Sequence, residues 1–132
     1  LFKGYSDVTF IGDTISDRIV SKVVENAGQK LVRVRFQSTC NVTDESLCKL
    51  ARGCPNLESF IYEETKEKPA ENCKSVGQFL PDLLRRTRLR VLHLVNLPYM
   101  DWSAVASEAS QSRLPMLPFI WRLVLRNVNL PP

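Results

Sequence analysis

Five times along this chain of 132 residues one apolar pattern returns: an apolar residue, two others, an apolar residue, one other, an apolar residue. The copies are Tyr5/Val8/Phe10, Leu31/Val34/Phe36, Leu57/Phe60/Tyr62, Leu89/Leu92/Leu94 and Ile120/Leu123/Leu125, their first positions 26, 26, 32 and 31 residues apart. This period constrains the chain more than any single motif. A unit so short cannot bury its own apolar face and has to stack on its neighbours. Within each copy the last two apolar positions alternate, as a short strand with one buried face requires.

Between the strands run stretches with helical spacing. Ile19, Val20, Val23, Val24 and Ala27 follow the first strand, and Leu47, Leu50, Ala51 and Cys54 the second. Each set lines one stripe of a helix. Ser16 and Thr43 suit the N-cap, Asp17 and Asp44 place negative charge in the first turn, and Gly28 and Gly53 with Pro55 punctuate the far ends. The third unit offers Val76, Phe79, Leu80, Leu83 and Leu84, with Pro81 breaking the helix near its middle unless it starts later. A weaker helix falls around Ala104 to Ala109. The expected fold is α/β, a leucine-rich-repeat solenoid of about five repeats. A parallel sheet would line its concave face and helices its convex face. Residues 1–132 form a single domain, and with no polar terminal caps the five units read as a fragment of a longer solenoid. The chain also begins at Leu1 without a signal-like segment, as though partway through a larger protein.

Residues 40–57 carry a more specific signal: Cys40-Asn41-Val42-Thr43-Asp44, then Leu47, Leu50 and Ala51, then Cys54-Pro55-Asn56-Leu57. This stretch resembles the cysteine-containing leucine-rich repeat of F-box proteins, the substrate-recognition subunits of Skp1–cullin–F-box ubiquitin ligases. The match is close over residues 31–57. A degenerate copy spans 5–31, where Ile15-Ser16-Asp17 echoes Val42-Thr43-Asp44. Residues 57–132 keep the strand pattern and depart from the cysteine pattern, with Cys73 alone remaining. The resemblance implies a non-catalytic module that holds a protein substrate for ubiquitylation. Skp1 would be engaged through an F-box that these residues do not contain. A leucine-rich-repeat scaffold outside the ubiquitin system is the alternative.

Composition bounds the rest. Hydrophobic residues make up 44% and charged ones 24%, an ordinary globular balance, and no apolar run approaches a membrane span. Cys40, Cys48, Cys54 and Cys73 form no C-x-x-C pair, and one histidine, His93, cannot complete a common zinc motif. Buried, reduced thiols are expected, and with them a reducing compartment, cytoplasmic or nuclear. Asn41-Val42-Thr43 matches a glycosylation sequon, but Thr43 is better used as a cap. The net charge of +4 is scattered except for Arg85-Arg86-Thr87-Arg88-Leu89-Arg90. A solvated helix end accounts for that run without nucleic acid. Glu63, Glu64, Lys66, Glu67 and Lys68 read as a solvated loop. Glycine-rich phosphate loops and aspartate-rich metal loops are absent, so no catalytic residue, metal or cofactor is expected. Trp102 and Trp121 fit aromatic packing or an interaction anchor.

A partner would meet the strand side chains that alternate with the buried ones. These are Asp7, Thr9 and Ile11; Arg33, Arg35 and Gln37; Ser59, Ile61 and Glu63; Val91, His93 and Val95; and Arg122, Val124 and Arg126. Valine and isoleucine beside arginine suit a protein surface with acidic and apolar features. The expected partner-binding residues are Arg33, Arg35, Ser59, Ile61, Glu63, His93, Arg122 and Arg126, with loop 63–75 beside them.

Overall fold

A computed structural model describes residues 6–65, 75–85, 88–97, 100–111, 120, 122–126 and 128. Strands β1 (Asp7–Ile11), β2 (Arg33–Gln37), β3 (Ser59–Glu63), β4 (Val91–Val95) and β5 (Arg122–Arg126) form one parallel sheet in chain order. Four helices lie among the described residues: α1 (Asp17–Ala27), α2 (Asp44–Gly53), α3 (Leu80–Leu84) and α4 (Ser103–Ser110). Each packs against the next, so they form a second layer. All five strands begin two residues after the first apolar position of a sequence copy.

The strands pair residue for residue, with no stagger. Val8, Val34, Phe60, Leu92 and Leu123 therefore align across the sheet, as do Phe10, Phe36, Tyr62, Leu94 and Leu125. Phe10 stacks on Phe36 at 4.9 Å and Phe36 on Tyr62 at 5.2 Å between ring centroids. Each such pair contributes about 0.5–1.5 kcal/mol beyond its buried area. Phe79, just before α3, meets Phe60 at 5.4 Å. Val20, Val23 and Val24 of α1, Leu47 and Leu50 of α2, and Leu80 and Leu83 of α3 complete the core against this face. Burial pushes the Tyr62 phenol up to about 12; its hydroxyl donates to the Thr39 carbonyl.

Several expectations change at the junctions. Ser16 has extended backbone before α1 but makes no side-chain capping bond, whereas the Thr43 hydroxyl accepts from the Glu45 N–H. The aspartates do more than complement helix dipoles. Asp17 accepts from the Thr43 N–H at 2.8 Å and from the Thr43 and Ser46 hydroxyls. Asp44 accepts from the Gly77 and Gln78 N–H groups, each at 3.0 Å. Each carboxylate thus ties its own helix to the next unit. Gly28 and Gly53 are not left-handed caps: Gly28 has φ −54°, and a Cβ there would stand 2.5 Å from the Gly53 carbonyl oxygen. Their small size lets adjacent helix ends touch. The left-handed positions fall directly after strands, at Gly12, Ser38 and Asn96, with φ of 92°, 55° and 58°.

α3 begins at Leu80 with Pro81 in its first turn, where the missing N–H costs nothing. Glu64, expected in a solvated loop, is 5% exposed and accepts from the Ser38 hydroxyl; Lys66, Glu67 and Lys68 lie outside the described residues. Cys48 and Cys54 are in no disulfide, in line with the expected reduced thiols, and burial pushes the Cys48 thiol up. Cys40 is disulfide-bonded, contrary to the expectation of four reduced thiols; Cys73 lies outside the described residues. Trp102 packs against the core and donates its indole N–H to the Val128 carbonyl at 2.8 Å; Trp121 lies outside the described residues. Leu123 is 44% exposed, since among the described residues no element packs beyond β5.

Gly28→Ala is expected to destabilise the chain by about 1–3 kcal/mol, because backbone rather than a flexible side chain blocks the new methyl. Asp17→Ala should cost about as much, by taking this acceptor from the buried Ser46 hydroxyl and from the half-buried Thr43 hydroxyl and N–H. Urea midpoints of both variants against Glu25→Ala, an exposed helix-surface control, check these values.

Candidate protein-binding face

Helices cover one face of the sheet, and the alternate side chains occupy the other. Register fixes their arrangement. One row runs Asp7, Arg33, Ser59, Val91, Arg122; the next Thr9, Arg35, Ile61, His93, Val124; the third Ile11, Gln37, Glu63, Val95, Arg126. All eight residues expected to bind a partner lie on this open face. The strand alternation that exposes them is the one that buries Phe36 and Leu94.

Electrostatics divide the face into two parts. On the β1–β3 side the charges are internally matched. Arg33 pairs with Asp7 at 3.2 Å, Arg35 approaches Glu63 at 3.7 Å, and the Gln37 amide donates to Glu63 at 2.9 Å. Asp7, Arg33 and Arg35 are exposed, so these ion pairs are worth about 0–1 kcal/mol each. A hollow of about 240 Å³ lies here among Asp7, Thr9, Arg33, Arg35, Ser59 and Ile61. It is open and smaller than the roughly 300–1,000 Å³ of a pocket that engulfs a small ligand.

The β4–β5 side is different. Arg122 and Arg126 are exposed, and neither has a side-chain partner of opposite charge among the described residues. His93 is half-buried at the centre of a cross of half-buried apolar residues: Val91 and Val95 along its own strand, Ile61 and Val124 beside it. Its Nε2 is buried with no hydrogen-bond partner among the described residues. Desolvation holds His93 below its ordinary value, helped by Arg122, Arg35 and Arg126 and opposed by Glu63. The face therefore joins a neutral imidazole, an apolar surround and two uncompensated guanidinium groups.

The basic run expected at a helix end is engaged elsewhere. Arg85 bridges Asp82 and, at 3.0 Å, Glu108 of α4, while Arg88 donates to Asn56; Arg86 and Thr87 lie outside the described residues. Loop positions 66–74, expected beside the binding face, also lie outside them. Among the described residues no group of three or more His, Cys, Asp or Glu side chains could hold a metal ion. No described helix is long and apolar enough to cross a membrane. Val91, Val95 and Val124, read from the sequence as face residues but left out of the narrower partner-binding set, surround His93 and share its surface.

Comparison with family models, curated proteins and solved structures finds no match for this chain.

The His93 shift has a definite sign. The unfolded imidazole protonates near its ordinary 6.5 and the folded one lower, so the unfolded state takes up the proton first as pH falls. Stability should therefore decline as pH drops below 6.5 toward the folded value. His93→Gln is expected to remove that part of the decline. Urea midpoints of the two proteins between pH 7.5 and about 5, above the carboxylate range, measure the difference; parallel profiles would contradict the assignment.

Proposed function

We propose that the chain is a leucine-rich-repeat solenoid acting as a non-catalytic protein-binding module, with the open sheet face as its concave binding surface. Its role is substrate recognition in an F-box-type ubiquitin ligase. The observation that carries the binding reading is the array around His93, where an apolar cross is flanked by exposed, uncompensated arginines. Interface centres combine apolar surface with arginine in this way, and solvated strands have no need to gather both. The ligase role rests on the resemblance of residues 31–57 to the cysteine-containing repeat. Skp1 would dock through an F-box elsewhere in the protein, and the site of action would be cytoplasmic or nuclear. Catalysis would belong to other chains, this one holding its substrate in position.

A scaffold or adaptor of the same fold outside the ubiquitin system is the second reading, and the disulfide at Cys40 favours it, since such bonds persist in oxidising compartments. Two measurements separate the readings. A parent protein that co-purifies with Skp1 supports the ligase role, and one that does not removes it. Alkylation mapping of the protein drawn directly from cells should find Cys40 reduced under the first reading and oxidised under the second.

For the face itself, replacing Arg33 and Arg35 together by Gln should weaken partner capture while shifting the melting temperature by no more than about 2–4 °C, because two weak ion pairs are lost and no like charge is set beside Asp7 or Glu63. Equal loss of folding and capture would mean that these side chains serve the fold.

A further inference from the structure

The open face carries four arginines against two acids, Asp7 and Glu63. Both acids are taken up by Arg33 and Arg35, so the excess positive charge falls on Arg122 and Arg126. These two stand on the same side of β5, four residues apart, or about 13 Å along an extended strand. Val124 lies midway between them, and His93 is its register neighbour on β4. An extended peptide has the same repeat: its side chains at i, i+2 and i+4 share one face over about 13 Å.

We propose that the β4–β5 side of this face takes an extended segment of a partner protein that carries carboxylates at i and i+4, on Arg126 and Arg122, and an apolar side chain at i+2, over Val124 and His93. This rests on the protein-binding reading and names the chemistry of the bound segment. Arginine offers a carboxylate two parallel N–H donors, and none of that capacity is spent on an acid within the described face. The apolar cross supplies the dry centre that makes such rim charges selective. Nucleic acid fits less well, because Glu63 stands in the same row as Arg126 and the apolar residues around His93 offer nothing to a phosphate backbone.

A phage-displayed library of random 12-residue peptides, panned on the whole chain, tests the chemistry. Enriched clones should carry an acid-x-apolar-x-acid pattern and lose binding to a variant with Arg122→Glu and Arg126→Glu. Peptides with lysines in place of the acids should bind that variant, which also shows it is folded; Arg122→Gln with Arg126→Gln, lacking new charge, should lose the acidic clones too. Clones that depend on the face, judged by loss with Ile61→Asp, yet show no acidic spacing would overturn this inference and leave the protein-binding reading standing. No clone sensitive to any of these variants would overturn both.

Discussion

Everything in this molecule depends on strands that pair without stagger. When each residue of a parallel strand faces its equivalent on the next, a position in one unit becomes a column through all of them. The columns of Val8 and Phe10 become the core; those of Asp7, Thr9 and Ile11 become a surface. A slip of one residue in any strand would exchange the two faces and send Arg35 or His93 into the space that Phe36 and Leu94 fill. The aromatic stack from Phe10 through Phe36 to Tyr62 opposes such a slip, because each ring packs on its equivalent.

Keeping that register over units of unequal length requires polar joints between them. The aspartates that open α1 and α2 reach forward to the N–H groups of the following unit, and left-handed residues after β1, β2 and β4 repeat one turn at one edge of the sheet. On the outer surface, ion pairs link successive helices: Lys49 with Glu25, Arg52 with Asp82, Arg85 with Glu108. The Lys49–Glu25 pair is exposed and adds little energy, while Asp82 and Glu108 are half-buried. The partly buried carboxylates hold more, since an unmet buried donor costs far more than a solvated charge gains. Where the spacing between copies grows from 26 to 32 residues, the added chain lies outside the strands, and the strand grid is unchanged.

The same grid determines what the open face can do. Among the described residues, neutralisation across β1 to β3 and its lack at β5 give a surface with direction, matched at one side and basic at the other. His93 lies between an acid and the arginines, and its titration reports on both. Under the proposed reading, such a face would read the charge pattern of a protein segment through the same few residues.

Much of this was legible in the linear pattern. Five strands, their inward residues, the four helices and every member of the open face follow from apolar periods of 2 and 3.6, which are local consequences of backbone geometry. The late start of α3 was foreshadowed by Pro81. What the pattern could not carry depends on which residues meet across units. Asp17 reads as a helix-dipole charge until Thr43 and Ser46 are beside it. Gly28 reads as a cap until its neighbour is seen to be the Gly53 carbonyl. Glu64 reads as loop until Ser38 is found over it, and the four cysteines read as equivalent until Cys40 alone among the described ones is bonded. Sequence by itself thus determined which residues face in and which face out, because one residue's direction follows from its strand. Only the tertiary structure decided which charges cancel and which remain, because pairing is set by distances between units 26 to 32 residues apart, and no local rule encodes them.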